Sequence, residues 1–341
     1  MKVAVLMSGG VDSTVAALLL KEQGHEITGL TMINWNTEAA TQAADVAAVL
    51  DIPHMVVDLQ EQFQEKVINY FTAVYERGQT PNPCVVCNRF IKFGSLLDYA
   101  LDLGFDMVAT GHYARIEYDD TRKRYLLKKG KDLSKDQSYF LYSLNQKQLG
   151  HTLFPLGELS KQEIRNIARA RNLKVAESKD SQEICFIAGD YRDFLQGKLQ
   201  FKPGQVVDLQ GNILGEHRGL PFYTVGQRKG LGISGGRPLY VVALDIENNR
   251  LILDDSKHLY SSSLIASNNN FIYFESMDSP LAVEARIRYR AANAPALLTP
   301  QGDKVLLEFN NPQRAVTPGQ SVVYYLGDYV LGGGIITVPG T

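Results

Sequence analysis

No run of about 18 apolar residues occurs in the 341-residue chain, which excludes a membrane-spanning helix. Also missing is the succession of basic region, apolar stretch and small-residue cleavage site that a signal peptide needs. The first strand pattern starts within two residues of Met1, so the expected location is the cytoplasm. Cysteine is scarce: three residues cannot all pair with one another, and a reducing cytosol disfavours structural disulfides, so each thiol is a candidate for chemistry or metal binding. Neither sign of charge is in excess. The formal net charge of -2 gives no global pull towards polyanions, although it leaves local basic patches open. Low-complexity segments and fixed-period repeats are absent, and so is the GxxxxGK pattern of kinase-type phosphate loops.

What is present divides into two halves. Val3 to Met7, Val11 to Glu22, Glu26 to Met32, Glu38 to Leu50 and His54 to Asp58 alternate strand and helix patterns. Such alternation predicts strand-helix-strand units around a doubly wound parallel sheet. Helical patterns follow at Glu61 to Arg77, Phe90 to Leu103, Lys161 to Arg171 and Tyr191 to Leu199, with a buried strand at Met107 to Thr110. Beyond Lys202 to Gln205 the helices stop. Short runs rich in Val, Ile, Leu and Tyr, separated by turn residues, predict two small mainly-β domains, the last a β-barrel. The expected boundaries are 1–200, 201–268 and 269–341, with the second seam placed at the Asn-rich run of Ser267 to Asn270.

The opening segment VAVLMSGGVDSTVAALLL carries the first chemistry. A strand that enters a helix through Ser8, Gly9, Gly10, Val11, Asp12 and Ser13 leaves unpaired helical NH groups and the positive end of the helix dipole facing the loop. Glycines admit a phosphate close to the backbone, and Ser8, Ser13 and Thr14 add hydroxyl donors. Plain capping by Asp12 or Ser13 is the structural alternative. GLGISG, Gly230 to Gly235, satisfies GxGxxG by letter only, because a strand is expected after it and no strand before it. Cys84 and Cys87 lie in TPNPCVVCNRFIKF at an expected helix start, where the dipole favours thiolate. Cys185 lies in DSQEICFI.

Together MSGGVDS, GLTMINW, TPNPCVVCNRFIKF, ATGHYAR, KDQSYFLY, DSQEICFI, GEHRGLPFYTVGQRKGLGI, ARIRYR, VTPGQSVVYY and LGGGII resemble the bacterial tRNA-specific 2-thiouridylase family of the PP-loop ATP pyrophosphatase superfamily. The resemblance implies an α/β fold of the adenine nucleotide alpha hydrolase type for the first domain. It also implies a sulfurtransferase that uses ATP with Mg2+ to replace the C2 oxygen of the tRNA wobble uridine with sulfur. By the same resemblance Leu6, Met7, Ser8, Gly9, Gly10, Val11, Asp12 and Ser13 bind phosphates, Met32 packs by adenine, and Gly111 admits the nucleotide. Cys185 carries a persulfide received from a cysteine desulfurase or sulfur relay, Cys87 is the partner thiol, and a reductant resets the pair.

Asn82, Pro83 and Cys84 are expected to border the flipped base, with His112 nearby. Lys135, Asp136 and Gln137, and further along Arg288, Tyr289 and Gln320, resemble tRNA contacts. Arg286, Arg288 and Arg290 alternate as if on one face of a strand, and Arg228 and Lys229 offer either a backbone contact or a solvated turn. Cys84 stands where one common version of the family has an aspartate. Three thiols then leave a second route open, a [4Fe-4S] cluster on Cys84, Cys87 and Cys185 with one open iron, against the alternative that Cys84 is a spare thiol.

Overall fold

The structure, a computed structural model, describes residues 1–35, 38–178, 184–187, 189–233 and 237–339. Parts of two quoted blocks, residues 180–183 and Ser234 with Gly235, lie outside the described residues. The first unit opens with β1 (Lys2–Leu6), α1 (Val11–Glu22), β2 (Glu26–Ile33), α2 (Glu38–Val49) and β3 (His54–Asp58). A long helix follows, α3 (Gln60–Phe63) passing through a π-turn into α4 (Asn69–Glu76). Next come α5 (Pro83–Cys87), a second π-turn over Asn88–Ser95, α6 (Leu96–Asp102) and β4 (Met107–Ala109). Then follow the hairpin β5 (Ala114–Asp119) and β6 (Arg124–Lys129), α7 (Gln146–Gly150), β7 (Thr152–Leu153), α8 (Lys161–Ala170) and α9 (Tyr191–Gln196).

The parallel sheet has the order β3-β2-β1-β4-β7. Its central strands are apolar on both faces because helices cover both. On one side Val15, Ala16, Ala43, Ala47, Ile164 and Ala168 bring α1, α2 and α8 onto Val3 and Val5. On the other Phe63, Phe71, Cys87, Leu97 and Leu195 bring α3, α4, α5, α6 and α9 onto Ala4, Leu30 and Val108. Such a sheet concentrates ligand sites where its strands end and its helices begin.

The central unit is a four-stranded sheet of β8 (Gly204–Val207), β9 (Ile213–His217), β10 (Tyr240–Asp245) and β11 (Arg250–Asp254), in the order β10-β11-β8-β9. The last unit contains β12 (Tyr260–Phe271), β13 (Leu281–Arg286), β14 (Ala294–Gln301), β15 (Lys304–Arg314), β16 (Ser321–Leu326) and β17 (Tyr329–Pro339). Pairing of β12 with both β15 and β17 closes these six into a barrel. The Asn-rich run is no seam, since β12 passes through it. Asn268 takes a left-handed φ of 50° at a register shift, and Asn270 Nδ2 donates to the carbonyls of Tyr142 (2.7 Å) and Leu144 (3.0 Å). A second correction concerns the arginines: β13 ends at Arg286, paired with Val323, so Arg288 and Arg290 leave the sheet and share no face with it. The β5–β6 hairpin of the first unit adds to the barrel through β17, which fastens the first unit and the barrel together.

Candidate active site

α1 starts without a side-chain cap: its N-cap is Gly10, and the hydroxyls of Ser13 and Thr14 turn back onto the Gly10 carbonyl at 3.1 and 2.8 Å. The first-turn NH groups are thus left for an anion, and capping by Asp12 or Ser13 does not occur. Gly9 takes φ 75°, and a Cβ there would stand 2.6 Å from Gln42 Cβ. Gly111 packs against the same turn. A Cβ on it would lie 2.8 Å from both the Asp12 carbonyl carbon and the Ser13 nitrogen, so its lack of side chain first serves the contact between β4 and α1. Asp12 is held from two sides: Lys161 Nζ reaches its carboxylate oxygens at 2.7 and 2.9 Å, and the Tyr113 hydroxyl donates at 2.8 Å. The uncapped turn and the glycine backbone leave NH groups and space for an anion, while the Ser13 and Thr14 hydroxyls are taken up by the Gly10 carbonyl.

Leu6 and Met32, at the ends of β1 and β2, pack on the apolar cluster that contains Cys87. One residue past β2, Asn34 Nδ2 lies 3.8 Å from Cys185 Sγ. Segments more than a hundred residues apart thus bring Cys87 and Cys185 to the carboxyl ends of β1 and β2, the end from which the phosphate loop also opens. Cys87 is buried, whereas Cys84 and Cys185 have exposed surface. The thiolate character expected from the helix start does not hold. Burial pushes Cys84 up to about 11 and Cys87 up to about 12, and it also raises Cys185, because a helix of five residues offers little charge stabilisation against desolvation.

One residue opposes that shift, and the sequence reading passed over it. Half-buried Lys92, in the π-turn five positions after Cys87, places a positive charge within reach of all three thiols and draws each pKa down. π-turns cluster at functional sites, but their wide spacing is invisible to a search at helical period. His112 is neutral: burial holds it well below the usual imidazole range and Lys92 pushes the same way, while Nδ1 and the Thr110 hydroxyl meet at 2.7 Å. Its ring packs between Phe93 and Phe154, with 5.9 Å between centroids in each case. Among the described residues no three His, Cys, Asp or Glu side chains form a metal-holding group. Cys84, Cys87 and Cys185 as placed therefore do not make up the three-ligand set a [4Fe-4S] cluster would need.

Several residues expected at tRNA engage this chain instead. Asp136 is buried. Its carboxylate accepts from the NH groups of Gly130 and Ser138 and from the Ser138 hydroxyl, with Arg286 at 3.4 Å, which fits a buried carboxylate and leaves no base edge within its role. Gln137 pairs with the backbone of Tyr113 through its NH and its side-chain oxygen. Lys135 is half-buried in the same loop. Arg288 donates to the carbonyls of Arg314 and Ala315 at 2.7 and 2.8 Å, and Tyr289 packs on Phe140 with centroids 4.4 Å apart. Arg228 and Lys229 are exposed in the central unit, where Arg228 borders a cleft of about 430 Å³.

Gln320 belongs to the thiol segment although it lies in the barrel. Its Nε2 donates to the carbonyls of Thr80 and Pro81 at 3.1 and 3.0 Å, while Thr80 N donates to Pro318 O at 2.9 Å. Directly beyond come Asn82, which is buried, Pro83 and Cys84. Gln320→Leu strands two carbonyls and is expected to cost about 1–3 kcal/mol of stability. Denaturant unfolding checks that, and faster alkylation of Cys84 in the variant would accompany a loosened segment.

Profiles of three domain families match along the chain: the tRNA methyl transferase HUP domain over residues 1–189, the tRNA methyl transferase PRC-barrel domain over 192–255, and the aminomethyltransferase beta-barrel domain over 261–336. The chain is 56% identical to the tRNA-specific 2-thiouridylase MnmA of Syntrophomonas wolfei, over 98% of this chain and 100% of that protein. It is 53% identical to the tRNA-specific 2-thiouridylase MnmA 1 of Caldanaerobacter subterraneus, over 98% and 97%. Among solved structures, a 4-thiouridine synthetase–RNA complex with bound ATP aligns at 18% identity and TM-score 0.35, over 52% of this chain and 42% of that one.

Proposed function

The chain belongs to the tRNA-specific 2-thiouridylase family, and from that premise we propose that it thiolates the wobble uridine of tRNA at C2, using ATP with Mg2+. As a family member it is a tRNA-uridine sulfurtransferase. The observation that carries the finer reading is that the phosphate loop, Cys87 and Cys185 all lie at the carboxyl ends of β1 and β2.

Oxide is a poor leaving group from uracil C2. Attack of the C2 oxygen on the α-phosphorus of ATP releases pyrophosphate and leaves an AMP ester that departs readily. The uncapped first turn of α1 and the Gly9–Gly10 backbone would hold the phosphates. Mg2+ would come with those phosphates, neutralising their charge while keeping mostly water and phosphate ligands. Lys161 and Tyr113 already hold Asp12, so the loop's carboxylate enters the reaction in a fixed position.

Exposure suits Cys185 for receiving sulfur from a desulfurase or relay protein as a persulfide. The terminal sulfur attacks C2 and forms the carbon–sulfur bond as AMP leaves. Cys87 thiolate then attacks Cys185 Sγ, which releases 2-thiouridine and leaves a Cys87–Cys185 disulfide for a two-electron reductant. Neutral His112 and the Asn82–Cys84 segment are proposed to wall the pocket for an extruded uridine. No step passes through an iron–sulfur cluster. Nucleoside mass spectrometry of unmodified tRNA, after incubation with metal-free enzyme, ATP, Mg2+ and a persulfide donor, is expected to show 2-thiouridine; its absence would overturn the reading.

A further inference from the structure

The chain holds one tryptophan, Trp35, and it is 45% exposed just past the carboxyl end of β2. An indole is among the most costly side chains to leave in water, and this one stands two residues past the end of β2. Its neighbour Asn34 contacts Cys185 Sγ. Phe194 presents a ring to Trp35 in an edge arrangement at 6.0 Å, and the exposed ammonium of Lys198 sits over that Phe194 ring at 5.4 Å. An accessible aromatic surface flanked by a cation is the composition with which proteins hold unpaired nucleic-acid strands, the ring taking a base and the cation a phosphate.

We propose that Trp35 is a stacking platform for the nucleobase next to the target uridine, with Lys198 beside that nucleotide's phosphate. The proposal rests on the tRNA-thiolation reading and adds a nucleobase subsite to it. The logic is energetic. Turning the uridine out towards Cys185 removes the stacking partner of the adjoining base, and a ring one residue from Asn34 is placed to substitute for it. The ring also lies on the Cys185 side of the site, where the reading brings the uridine C2, which favours an RNA base over the adenine of ATP.

Because no second indole is present, intrinsic fluorescence of the full chain reports on Trp35 alone. Titration with an unmodified tRNA transcript bearing a wobble uridine is expected to quench the emission along the same curve as filter binding of the same samples. Trp35→Ala is expected to lower kcat/KM for tRNA roughly five- to hundredfold, chiefly through KM, and Trp35→Phe to restore most of it. Complex formation on the filter with unchanged emission, and Trp35→Ala within twofold of the parent, would overturn the platform while leaving thiolation intact. Quenching by ATP alone would assign the ring to adenine and overturn it too. If no tRNA is retained on the filter, the thiolation reading fails and the platform falls with it.

Discussion

Serine at Cys87 or at Cys185 is expected to abolish 2-thiouridine formation, by at least about a thousandfold, while serine at Cys84 leaves it within a few-fold. The three thiols share one site but not one environment. Cys185 is exposed and touched by Asn34, so it can meet a donor; Cys87 is buried in the cluster on which Leu6 and Met32 pack, so it can meet only what Cys185 brings. A hydroxyl can neither carry a persulfide nor attack one. The adenylation step needs no thiol, and one equivalent of pyrophosphate is therefore expected from both inactive variants. Nucleoside mass spectrometry and a pyrophosphate assay on the same single-turnover samples separate the two steps. Equal loss in all three serine variants would return the cluster route to consideration.

How much of this was legible depended on how far apart the interacting residues lie. The anion cradle was legible because its parts are contiguous: a strand, two glycines, hydroxyls and a helix dictate each other within a dozen residues. Two mainly-β units and a terminal barrel were legible from turn spacing, but not the strand through Asn268 to Asn270, whose side chains find partners on Tyr142 and Leu144 in another unit. Asp136 and Gln320 were singled out by resemblance to tRNA contacts. Their bonds to Gly130, Ser138, Thr80 and Pro81 are set by tertiary packing that no local pattern records. The alternation of Arg286, Arg288 and Arg290 was real in sequence, yet β13 leaves the ladder after Arg286, opposite Val323, while β16 itself continues to Ser321. The sign of the thiol shift went wrong for a related reason. The helix dipole is a local effect, whereas desolvation by Phe186, Ile91 and their neighbours is assembled from the whole chain.

Lys92→Met is expected to slow thiolation by about tenfold, and by that same factor at every pH well below the thiol pKa values. Burial already holds the thiols protonated at neutral pH, and the Lys92 charge is the first-ranked force in the other direction for Cys84, Cys87 and Cys185 alike. Raising an acid's pKa by one unit removes about nine-tenths of its thiolate at any pH well below that pKa, and a charge deleted from a partly desolvated site is worth about that much. In the parent, alkylation of Cys87 should accelerate about tenfold per pH unit without a plateau below about 11, since its pKa lies at about 12. In the variant the same line is displaced to higher pH. Lys92→Arg keeps the charge and should stay near the parent, which distinguishes an electrostatic role from a packing one. The same loss of thiolation with the rate of Cys87 alkylation unchanged would instead assign Lys92 to holding a substrate group, such as a phosphate.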